Sequence, residues 1–219
     1  MSRPEIAAAF KPFEPLAKQL LPHAASGDDG AHDVAHILRV FRNAMKIASA
    51  EGGDPRLLAA AVLLHDCVSV EKNSPLRTQA SRLAAEKAAT ILSDLGWNAA
   101  DIDAVAHAIT THSFSANLAP QTLEARILQD ADRLDAIGMV GAARCFYIAG
   151  RMGSALYDPA DPLAENRALD DKAFAIDHFE VKLFKLTDGF QTATGRQMAL
   201  ERQERLKTVL DMFIDEVRE

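Results

Sequence analysis

The sequence predicts an all-α protein built as a helical bundle, and three observations carry that expectation. Apolar residues recur at spacings of three and four in almost every long segment, the period of one helix face. No run keeps the strict alternation of a half-buried strand, and aromatic residues make up only 6%, most of them Phe. Breakers such as Gly52–Gly53, Ser74–Pro75, Gly96 and Gly138 stand at the ends of periodic segments.

The elements follow in order. A first segment over about 4–22 is interrupted by Pro12 and Pro15, so it is broken or kinked. Gly27–Gly30 marks a loop, and a strong helix follows over about 32–50, with Val34, Ile37, Leu38, Phe41, Met45 and Ile47 as its apolar face. Asp54 and Pro55 read as an N-cap and a first-turn proline. They open a helix over about 56–65 that is apolar all round and is therefore expected to be central. Residues 67–77 read as a polar connection. Helices are predicted over about 78–95, 99–112, 121–136 and 139–150, then a long loop over 151–170 containing Gly153, Pro159 and Pro162. Helices over about 172–189 and 195–218 complete the chain. With no internal repeat or linker, the expected organisation is a helical and loop extension over 1–30 and one helical domain over 31–219, its C-terminal helices packed on it.

Composition narrows the function. The chain has 219 residues, 24 Lys plus Arg against 31 Asp plus Glu, and a formal charge of −7. Scattered basic residues on an acidic chain argue against a nucleic-acid polymer as partner, because counterion release needs a dense cationic surface. Small anions stay open, since a metal or a few local cations can reverse the potential in a cleft. Cys67 and Cys145 stand alone, which excludes a disulfide scaffold and suits a reducing compartment. No apolar stretch approaches membrane-spanning length, and Met1-Ser2-Arg3-Pro4-Glu5 lacks signal-peptide architecture. A cytoplasmic protein with no membrane partner is expected, and a homo-oligomer stays open.

Three elements carry residues suited to chemistry. His65–Asp66 ends the fully apolar helix, where burying an ionisable pair is costly unless something compensates it. Adjacent helical residues point about 100° apart, so the two can share an ion only if the helix ends there. Otherwise His65 is a helix-end histidine on the dipole and Asp66 a cap. His36 lies at the edge of the apolar face of the 32–50 helix, within reach of the core, and by itself reads as a core histidine bonded to a carbonyl more readily than as a ligand. His32–Asp33 is a second such dipeptide, but at a helix start, where Asp33 suits the dipole. The third element is Gln129-Asp130-Ala131-Asp132-Arg133-Leu134-Asp135. Asp132, between Leu128 and Ala136 in projection, is hard to leave in solvent, whereas Asp135 and Asp130 read as a solvated face. Taken together, His36, His65, Asp66 and Asp132 form a mixed nitrogen and oxygen set suited to Mn²⁺ or Fe²⁺, or to Mg²⁺ with more water.

In that order, His36, His65–Asp66, Asp132, the sequence resembles the HD-domain superfamily of metal-dependent phosphohydrolases. The likeness extends over about 30–215. It includes Glu71-Lys72-Asn73-Ser74-Pro75 with Arg77, Ala80–Ser81, Gln129 through Gly138, and Phe179 through Arg196 with Thr192, Thr194 and Gly195. These stretches look like the small single-domain bacterial branch of YedJ/YpgQ type. The resemblance implies a helical bundle around one or two divalent ions held by His36, His65, Asp66 and Asp132, with Asp130 as a helper. It implies hydrolysis of nucleoside triphosphates to monophosphate and pyrophosphate.

A divalent ion in that set would act as Lewis acid on a phosphate oxygen and lower the pKa of a coordinated water. Lys72 and Arg77 are candidate phosphate ligands, with simple surface charge as the alternative. Asp66 joins metal and catalysis, Glu71 is a candidate to orient the nucleophile, and Asp130 or His112 to donate the leaving-group proton. His112, at its helix end, is also a candidate substrate or second-metal residue, whereas His107 reads as packing or surface. Phe146, Tyr147 and Tyr157 are candidate base-stacking residues or simply core and loop anchors. Alternatives are a nucleoside monophosphate phosphomonoesterase, a phosphodiesterase, and a non-catalytic helical module that senses a nucleotide.

Overall fold

The structure, a computed structural model, describes residues 6–24, 33–68, 70, 77–113 and 116–218. Among these the chain is helical, with one isolated bridge between Ala155 and Phe174. None of these helices is long and apolar enough to cross a membrane. The residues cluster into two compact units, one comprising 1–132 with 191–195, the other 133–190 with 196–219.

The first unit holds α1 (Glu14–Leu20), α2 (Val34–Glu51), α3 (Pro55–Leu64), α4 (Ala80–Asp94), α5 (Ala99–His112) and most of α6 (Leu123–Asp135). Pro15 occupies the first turn of α1, and a short 3-10 turn at Ala8–Phe10 precedes it, so the break expected around Pro12 is present. Asp33 caps α2 and Asp54 caps α3 through side-chain bonds to the first-turn amides. Asn98 does the same for α5. Helix α3 packs against α1, α2, α4 and α5. Its residues Leu58 through Leu64 are all buried, which is why it needs no polar face. Glu124 reaches back to the backbone N–H of Asp54 at 2.9 Å, tying the start of α6 to the start of α3.

The second unit holds α7 (Gly138–Met152), a loop, α8 (Asp177–Val181) and the greater part of α9 (Ala193–Arg218). The single helix expected over 172–189 is broken. Residues 173 and 175 pair through their backbones with Ala155, which holds the start of the segment outside a helix. Only α8 and a 3-10 stretch at Leu183–Gly189 are helical, yet Phe179, Leu183, Leu186 and Phe190 are all buried. Arg133 Nη1 donates to Gly189 O at 2.6 Å and fills the space a side chain at 189 would need. Phe146 stacks on Phe213 at 5.5 Å and Tyr157 meets Phe213 edge-on at 5.8 Å. Both therefore anchor the aromatic core of this unit, while Tyr147 is exposed beneath Arg151.

Candidate metal centre

Two histidines of the first unit are aimed by one device. Helix α3 ends at Leu64, and His65 Nδ1 bonds the carbonyl of Val62 at 2.7 Å. Helix α5 ends at His112, whose Nδ1 bonds the carbonyl of Ile109 at 2.6 Å. In each case the imidazole bonds a carbonyl in the last turn of its own helix. A carbonyl can only accept, so the ring proton sits on Nδ1 and Nε2 presents its lone pair. His36, in the first turn of α2, completes a group of three buried imidazoles.

The nitrogens and carboxylates converge. His36 Nε2 and His65 Nε2 are 3.2 Å apart. Asp66 Oδ2 lies 3.4 Å from His65 Nε2 and 3.8 Å from His36 Nε2. Asp132 Oδ1 lies 3.6 Å from His36 Nε2 and 4.0 Å from His65 Nε2. The end of α3 at Leu64 lets the adjacent His65 and Asp66 face one point, the condition the sequence required of them. His112 stands beside the group, its Nε2 3.8 Å from Asp66 Oδ1 and its ring edge-on to His65 at 5.1 Å. Burial, with His65 next, pushes the His112 pKa below its ordinary value, so the ring is neutral at pH 7.

This donor set fits a divalent cation. Two nitrogens at 3.2 Å, one of them a lone pair, face two carboxylates, and among the described residues the ion-pair partners of Asp132 are His36 and His65. Atoms of His36, His65 and Asp66 all fall within 4.8 Å of one another. Cations normally neutralise such a cluster, and imidazole with carboxylate suits first-row divalent ions.

Other candidates fall elsewhere. His32, Glu71 and Lys72 lie outside the described residues, as does the side chain of Arg77. His107 Nε2 accepts the backbone N–H of Gln121 at 3.0 Å, a packing role. Asp130 is fully buried and accepts from Gln191 N, Thr192 N and the Thr192 hydroxyl, each at 2.8 Å. The solvated face expected of Asp130 and Asp135 is absent: Asp135 is also buried, paired in the second unit with Arg144 Nη1 at 2.8 Å. Asp132 is the accessible one, with 27% of its side chain exposed. The order reverses because donors distant in sequence solvate the other two.

Sequence reasoning missed the supports of α6. Asn43 Nδ2 donates to Ala131 O at 3.1 Å, and Gln129 Nε2 donates to Thr111 O at 2.8 Å. The signal was available for Asn43, a polar residue seven positions after His36 on an apolar helix face.

Comparison with known proteins identifies the family. The HD domain family model matches residues 34–137, which include every proposed ligand. The YpgQ protein of Bacillus subtilis (strain 168) is 35% identical over 179 residues, covering 80% of this chain and 79% of YpgQ. The crystal structure of Bacillus subtilis YpgQ in complex with ADP superposes with a TM-score of 0.71 at 33% identity, covering 90% of this chain and 96% of that one. An HD-superfamily hydrolase from Bacillus thuringiensis gives a TM-score of 0.68 at 28% identity, covering 97% and 96%. Family match, shared length and the histidine–aspartate cluster lead to one conclusion: the chain belongs to the HD-domain superfamily, whose members bind divalent metals and include hydrolases.

Proposed function

We propose that the protein is a metal-dependent phosphohydrolase that cleaves nucleoside triphosphates to monophosphate and pyrophosphate. The observation that carries this reading is the convergence of His36, His65 and Asp66, with Asp132 Oδ1 3.6 Å and 4.0 Å from the same two imidazoles. Binding of ADP by the YpgQ relative supports a nucleotide as the ligand class.

These four residues would hold the ion, and Mn²⁺ is the proposed one, with Mg²⁺ and Fe²⁺ as alternatives. When bound, it supplies a Lewis acid for phosphoryl oxygen and acidifies water. The chain supplies the rest. His65 Nδ1–H, spent on Val62 O, fixes the ring so that Nε2 cannot turn away. Exposure of Asp66 and Asp132 at 31% and 27% leaves an approach for an anion from solvent. Neutral His112 offers Nε2 as a proton acceptor at the edge of the cluster. Lys72 and Arg77 follow the ligand pair in the chain and are assigned to the remaining phosphates, Glu71 to the attacking water.

A nucleotide panel with Mn²⁺, Mg²⁺ or Fe²⁺, and with EDTA, tests this. Metal-dependent release of pyrophosphate is expected, abolished by EDTA. Orthophosphate as product would replace this reading with a phosphomonoesterase, and nucleotide binding without turnover would replace it with a sensing module.

A further inference from the structure

The turn Gln191–Gly195 lies about sixty residues from α6 in sequence, yet it belongs to the same compact unit and is bound to two ligand-bearing helices. To α6 it gives three hydrogen bonds, all accepted by the fully buried Asp130. To α2 it gives the Thr194 N–H, accepted by Glu51 Oε1 at 2.6 Å on the last residue of that helix. Thr192 is the centre of the turn. Its hydroxyl donates to Asp130 Oδ2 and accepts the Gly195 N–H at 2.9 Å, capping the start of α9. Gly195 is required by space and not by backbone conformation, since its φ is not among the positive ones. A Cβ there would overlap Asp130 Oδ2, 2.9 Å from Asp130 Cγ and 2.7 Å from Thr192 Oγ1.

Asp130 and Asp132 are two residues apart on one helix, so they point about 200° from each other. One is fastened to the turn, and the other faces the imidazoles. The helix between them has little slack, because Ala131 O is held by Asn43 of α2 and Gln129 by Thr111 O of α5. Displacing Asp130 therefore moves Asp132.

We propose that Thr192 and Gly195 are positioning residues of the metal centre, acting on Asp132 through Asp130. This rests on the metal-binding reading of the cluster and not on the choice of substrate.

The test is Mn²⁺ affinity of metal-free protein, read from the EPR signal of free Mn²⁺, for wild type, Thr192→Val, Thr192→Ser and Gly195→Ala. Far-ultraviolet circular dichroism checks that each is folded. Valine and alanine variants are expected to bind Mn²⁺ about 10–100-fold more weakly, the range for supports of metal ligands. Thr192→Ser keeps the hydroxyl and is expected to bind as wild type does. If Thr192→Val does not fold, Gly195→Ala, which removes no hydrogen-bonding group, carries the comparison alone. Folded Val and Ala variants with wild-type affinity would overturn the proposal. So would variants that melt lower without metal yet gain the full Mn²⁺-induced rise in Tm, the mark of a purely structural lesion. Wild-type protein without Mn²⁺ affinity would overturn the centre itself, and this role with it.

Discussion

The C-terminal end of α3 and the middle of α6 both set carboxylates against apolar surface, by opposite means. At the first, the helix stops after Leu64, and the adjacent His65 and Asp66 turn to one point. At the second, the helix continues through Asp130 and Asp132, and the two carboxylates go to different surroundings. Asp130 is met by three donors and is satisfied by them. Asp132 is met by two imidazole nitrogens. What distinguishes the two carboxylates is what surrounds them, hydrogen-bond donors at Asp130 and imidazole nitrogens at Asp132.

The comparison breaks most visibly at the α3 end. His65→Ala or Asp66→Ala is expected to remove bound metal and reduce hydrolysis to background while helical circular dichroism stays largely intact, because Leu58–Leu64 keep α3 in the core. Full activity in either variant would defeat the ligand assignment. A smaller effect is expected at the neighbouring histidine. His112→Gln should lower turnover about a hundredfold with metal content kept, as removal of a proton acceptor does. Metal lost from that variant, measured by elemental analysis, would make His112 a ligand.

The α6 pair gives the sharpest contrast. Asp130→Asn keeps one acceptor oxygen and sets its NH₂ either against the Gln191 N–H or against the Thr192 N–H and hydroxyl, a cost of about 3 kcal/mol. Metal-free protein should melt roughly 5–10 °C lower. Asp132→Asn should leave the metal-free Tm nearly unchanged and abolish metal binding. Equal melting of the two metal-free variants by calorimetry would erase the distinction drawn between these carboxylates.

Much of this was legible in the residues, for reasons that also define the gap. Local signals sufficed for α3, whose unbroken apolar surface fits only an interior position, and for the cap Asp54, whereas Asp33, expected in the first turn of its helix, is the cap before it. The order His36, His65–Asp66, Asp132 stood out as a candidate set because those residue types are expensive in apolar segments unless they share a cation. The placement of Asp130 and Asp135 was not, because their donors lie 61–62 and nine positions further on and nothing local announces them. The non-helical start of the predicted 172–189 helix was hidden for the same reason: residues 173 and 175 pair through their backbones with Ala155. Apolar period reports which residues are buried and is blind to which distant backbone claims them.

The smallest expected effect concerns the other end of the turn that holds Asp130. Glu51 accepts the Thr194 N–H, and that bond holds its carboxyl below the ordinary glutamate value of 4.5. A carboxyl with a lowered folded-state pKa stabilises the protein fully above its unfolded value, and that contribution disappears as pH falls through the lowered one. Glu51→Gln keeps an acceptor oxygen and loses the charge. It should therefore melt slightly below wild type at pH 7, with the gap closing as pH falls below about 4.5. A gap that stays constant down to pH 3 would mean that the charge on Glu51 contributes nothing to the hold of α2 on the turn. The turn would then act on α6 through its bonds to Asp130 and not through the charge of Glu51.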